Sequence, residues 1–115
     1  MGYDHTRLKA LLSETGYDVA YDHFVSKPDL PFVLIQRTRT VNHYADNRVY
    51  MKVNHFRVIL ATERKDSTAE RAVESVFNRN EIPWEIEDEA YVKDQRVHQV
   101  FYETEEIETF EEMEE

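Results

Sequence analysis

Cysteine is missing from all 115 residues, so the chain forms no disulfide, binds no metal through thiolates and has no thiol nucleophile. Glycine is nearly as scarce: Gly2 and Gly16 are the only two, too few for a loop that cradles phosphate. Neither a GxSxG elbow nor an HExxH metal helix is present. Basic runs stop at the pair Arg64 and Lys65. Because phosphate binding relies on clustered Lys and Arg, specific nucleic-acid binding is not expected. No window approaches the length of a membrane span, and MGYDHTRLKALL lacks the apolar run of a signal peptide. Gly2 follows Met1, but His5 and Thr6 make a poor myristoylation match. The expectation is a soluble, unexported protein with no cofactor or metal and no enzymatic activity.

What is present suffices for one core. The chain is 41% hydrophobic and 33% charged, with seven Tyr and six Phe, and its length suits a single domain of helices on one sheet. The net charge of −10 is unevenly placed. Residues 103–115 hold eight Glu and no Lys or Arg, which leaves residues 1–102 nearly balanced with 16 acidic and 14 basic side chains. We therefore expect an α+β domain over 1–104 and an acidic tail over 105–115, the tail either solvated or continuing the last strand through Ile107 and Phe110.

Hydrophobic periodicity supplies the elements. Leu8, Leu11 and Leu12 share a face of a first helix over about 4–15, which Gly16 stops. A strand follows over 18–24, with Val19, Tyr21 and His23 on one face, and Pro28 and Pro31 then make a loop. Residues 32–40 begin apolar on both faces and turn polar, with Arg37 and Arg39 expected on one face by the two-residue strand period. Residues 42–47 form a turn, since Asn and Asp tolerate left-handed conformations. Residues 49–62 then return as the second arm of a long hairpin.

Ser67 and Glu70 match a capping box for a second helix with an apolar stripe of Ala69, Ala72, Val73, Val76 and Phe77. Segments 84–87, 90–93 and 95–104 read as further strands. The order α-β-β-β-α-β-β predicts a mostly antiparallel sheet with both helices on one face.

Candidate chemistry is sparse. His43 and Asp46 are a weak metal pair in a polar turn, where solvated side chains are the ordinary outcome. His55 and His98 can lie together on adjacent strands as exposed residues, which is commoner than a general base. Glu85, Glu87, Asp88 and Glu89 read as a solvated loop. Tyr44, Tyr50, Tyr91 and Tyr102 fit an interface and plain sheet surface equally well. Arg37, Arg39, Arg48 and Arg57 suit phosphate or the carboxylates of a neighbouring subunit, the latter being the more economical reading.

The segment YADNRVYMKVNHFRVILATERKD, a capped helix and then EIPWEIEDEAYVKDQRVHQVFYETEEIE together resemble the small tail-terminator, or tail-completion, proteins of long-tailed bacteriophages and prophages. The resemblance implies a small α/β fold that assembles as a hexameric ring in the virion tail. That ring caps the tail tube, meets the head–tail connector protein and lets DNA pass unheld. It implies no active site, and assigns contact roles to the hairpin around Tyr44, Asp46, Asn47, Arg48 and Tyr50 and to Arg37 and Arg39. The rival readings are an acidic inhibitor or DNA mimic, against which the balanced body counts, and a small α+β enzyme using His55 or His98.

Overall fold

The structure, a computed structural model, describes residues 5–109. The elements are α1 (His5–Leu12) with a 3-10 turn at Ser13–Thr15, β1 (Asp18–Tyr21), β2 (Phe32–Ala45), β3 (Arg48–Thr62), α2 (Ser67–Arg79), β4 (Trp84–Val92) and β5 (Val97–Thr109). They form an α+β fold with the expected order of elements.

Local chemistry explains the helix ends. Gly16 closes the first helical segment at φ 88°, the left-handed region in which a residue without Cβ meets no penalty. The cap of α2 is Asp66 instead of Ser67: Asp66 has extended backbone, and its carboxylate accepts from the Ala69 N–H at 3.0 Å. Glu70 is consequently released from the expected capping box and lies 2.9 Å from the Lys65 ammonium.

The five strands lie in the order β1-β2-β3-β5-β4. All neighbours are antiparallel except β1 and β2, which run parallel with Val19 beside Val33 and Tyr21 beside Ile35. A parallel pair needs a long return connection, and the proline-containing stretch 22–31 supplies it without a helix. The two short strands expected over 84–93 are one strand, β4, with an irregularity between Ile86 and Asp88. The acidic residues from Glu85 to Glu89 therefore sit on a strand. β5 continues past the expected end at Thr104 to Thr109, and residues 110–115 of the anticipated tail lie outside the described residues.

Alternation assigns the faces. Phe56, Val58 and Leu60 of β3 point to the helix side, in register with Ile35 and Val33 on β2 and with Tyr102 and Val100 on β5. Leu8 and Leu12 of α1 and Ala69, Val73, Val76 and Phe77 of α2 close over them to form one core. Full burial of each large apolar side chain is worth about 1.5–3 kcal/mol. The other face carries His55, Arg57 and Ile59 of β3 beside Glu105, Glu103 and Phe101 of β5.

Candidate assembly surface on a three-stranded arm

The sheet changes width along its length. β1 pairs with β2 only as far as Ile35, because Asp22 turns left-handed at φ 74° and ends the strand. On the opposite flank β4 pairs with β5 only from Trp84 beside Thr104, since Pro83 precedes it and brings no N–H. Beyond these rows β2, β3 and β5 run on alone as an arm, and the molecule reaches 52 Å in its longest dimension. An ion pair from Arg7 to Glu106, whose side chain is 6% exposed, ties α1 to this arm.

The arm ends in a two-residue turn. Asp46 and Asn47 adopt φ values of 53° and 65°, the pair of left-handed conformations that a type I′ hairpin demands and that Asp and Asn accept most readily among residues with a Cβ. Residues 42–45, expected in the turn, belong to β2. Tyr44 is 65% exposed. A second irregularity, between His43 and Tyr44, leaves Tyr50 without a register partner, and its ring lies 6.5 Å from that of His43. Tyr44, Asp46, Asn47, Arg48 and Tyr50 are thus brought together at the tip.

Arg37 and Arg39 do not share a face. An irregularity at Thr38 sets Arg37 beside Phe56 and Arg39 beside His55. Adjacent residues of β3 point to opposite sides, so Arg37 lies on the helix side and Arg39 on the open side. Both are exposed, and among the described residues no carboxylate pairs with either.

The histidines are likewise separated. His55 lies on the open face, 3.9 Å from Glu103 and 3.8 Å from Glu105, whereas His98 lies on the helix side and bonds Glu89 at 2.9 Å. Beside His55 an open cleft of about 290 Å³ is lined by Trp84, Glu85 and Thr104. The hydroxyl of Thr104 is buried without a hydrogen-bond partner, so it is not paired with a base there.

Around His98, single ligand atoms of Glu70, Glu89 and His98 lie within 4.8 Å of one another. The Lys65 ammonium stands among them, bonding Glu89 and meeting Glu70. Those contacts raise the Lys65 pKa, chiefly through Glu89, and the Glu89 carboxyl is lowered chiefly by Lys65 and then by His98. The positive charge that a metal ion would bring is already supplied by the lysine.

Tyr102 is not a surface tyrosine. Its ring packs edge-on against Phe77 and Trp84, and its hydroxyl donates to Glu74 at 2.8 Å. Burial first, and then that carboxylate, push its pKa well above the ordinary tyrosine value. Tyr91 is 54% exposed on β4.

No family model matches this chain, and no curated protein matches it. No helix among the described residues is long and apolar enough to cross a membrane.

Sequence reasoning missed the open edge of β2, because that edge depends on where β1 stops. The signal that was available is Asp22, a residue type prone to left-handed backbone at the end of an apolar alternation.

Proposed function

We propose that this chain is a structural assembly protein, a tail terminator whose copies form a ring on the tail tube of a long-tailed phage and meet the head–tail connector. The observation that carries the reading is the arm. Three strands outrun their helical cover, and a protein that works alone has little reason to expose so much paired backbone and side-chain surface at one end. The Thr104 hydroxyl in the cleft at His55 is not paired with a base, which favours contact over hydroxyl-based catalysis. The acidic composition suits a ring through which DNA slides, since carboxylates repel its backbone.

Light scattering across a range of protein concentration and salt tests this, with the tail-tube protein absent and present. Discrete oligomers are expected in at least one condition. A strict monomer in all of them removes the reading.

A second reading has its own observation. Glu85 stands beside Glu103 on the open face, and Asp88, Glu87 and Glu105 extend that acidic flank. Such a row suits an inhibitor that occupies a nucleic-acid-binding partner. Competition with DNA for a basic partner, undiminished in a monomer, would favour it over the ring.

A further inference from the structure

The geometry points to the open edge of β2, from Gln36 to Ala45, as a docking strand for an extended acidic segment of a partner that carries two adjacent carboxylates. This deepens the assembly reading, on which it rests, by naming what the arm receives.

Three observations converge. First, the edge is available. β1 leaves β2 after Ile35, and among the described residues nothing pairs with the outward backbone groups from Gln36 onward. Such a row of N–H and C=O groups is the template on which an extended peptide adds a strand.

Second, the edge has one sign of charge. In a chain of net charge −10 the segment QRTRTVNHYA contains two arginines, one histidine and no carboxylate. A second β2 edge would bring one basic edge to another with no carboxylate on either to pair the arginines, whereas an acidic strand is complementary.

Third, the irregularity at Thr38 sets the spacing of the charges. Arg37 and Arg39 occupy neighbouring rows on opposite faces. Successive residues of an added strand also point to opposite faces. A Glu-Glu doublet therefore delivers one carboxylate to each guanidinium, with fork geometry available on both sides. A Glu-x-Glu spacing puts both carboxylates on one face and leaves one arginine unmatched. Without the bulge the preference would be reversed, because Arg37 and Arg39 would then share a face.

The test uses the full chain, labelled with nitrogen-15, and two synthetic peptides of about ten residues with identical Thr, Val, Ser and Glu content. One carries its two glutamates adjacent and the other separated by one residue. The adjacent peptide is expected to bind about tenfold more tightly, the value of one charge-assisted contact. Its amide shift changes should be confined to β2 and its immediate neighbours. Arg37→Glu with Arg39→Glu should abolish that binding while the core resonances stay dispersed.

Equal affinity for the two peptides, shifts centred elsewhere, or no binding at millimolar peptide would overturn the proposal. Concentration-dependent broadening of residues 36–45 without peptide would overturn it too, in favour of a second copy on the same edge. Light scattering on the unmodified chain separates the two readings: oligomers with no peptide binding leave the ring standing and remove the docking strand. Peptide binding by a strict monomer does the reverse.

Discussion

The ion pair between Arg7 on α1 and Glu106 on β5 can be tested as the tie that fastens the arm to the body. Glu106 is nearly buried, with 6% of its side chain exposed, while Arg7 is 33% exposed. Removing one partner of a fully buried pair costs about 3–5 kcal/mol because a charge is left desolvated. Here the guanidinium keeps water, and Glu106 has a further interaction of its own, so the cost of Arg7→Ala should be smaller, about 1–2 kcal/mol. For a domain of this size each 1 kcal/mol lowers Tm by about 4 °C.

Arg7→Ala combined with Glu106→Gln should recover part of the loss, because the stranded charge is gone. The coupling from the double-mutant cycle should then be about 1 kcal/mol. Thermal or urea denaturation gives the cycle, and native-state hydrogen exchange gives its location: amides of residues 105–109 should exchange faster in Arg7→Ala than those of the β3 core. Additive mutations, or unchanged exchange along the end of β5, would refute the reasoning that this contact holds the arm.

Other outcomes follow from single contacts. Asp66→Ala should cost about 1 kcal/mol in urea denaturation through loss of the α2 cap, whereas Ser67→Ala should cost close to nothing; the reverse ranking would restore Ser67 as the cap. Thr104→Val removes a buried hydroxyl that lacks a partner and should be neutral or stabilising by up to about 1 kcal/mol, read from the shift in denaturation midpoint. Glu89 is held below its ordinary pKa of 4.5 by Lys65 first and His98 second. Its contribution to stability is therefore present above that ordinary value and lost as pH falls through the folded value. Thermal melts between about pH 3 and pH 6 should show a shallower acid decline in Glu89→Gln than in the parent, and identical profiles would count against the Lys65–Glu89 contact.

Much of the fold was legible because its signals are short-range. In FRVIL, Phe56, Val58 and Leu60 alternate with Arg57 and Ile59 and form the core face, and the stripe from Ala69 to Phe77 gave α2 its buried side. The order α-β-β-β-α-β-β and the shared helix face followed from those patterns. Long-range geometry was less legible. Nothing between Asp22 and Pro31 announces that β2 returns parallel to β1, because a parallel pairing is set by where the connection lands.

At the proposed contact surface the same division holds. The turn residues Asp46 and Asn47 were readable from backbone preference. The placement of Arg37 and Arg39 was misjudged because a bulge breaks the two-residue period at a position that only pairing with β3 reveals. Tyr102 was misplaced for a related reason: its burial depends on which face of β5 α2 covers, and that is set by packing between distant segments.

The strand order has one last consequence, for synthesis. β5 is made after β1 to β4, yet it lies inside the sheet between β3 and β4. Until it leaves the ribosome, β3 lacks its second neighbour, β4 lacks the strand it pairs with, and Val100 and Tyr102 are missing from beneath α2. Folding of this sheet must wait for β5, so a nascent chain released before it should be a poor substrate for rescue by its own core and a good one for proteases. Arrest of translation before Val97 should give protease-sensitive chains throughout, with resistance appearing in a single step once β5 has cleared the exit tunnel.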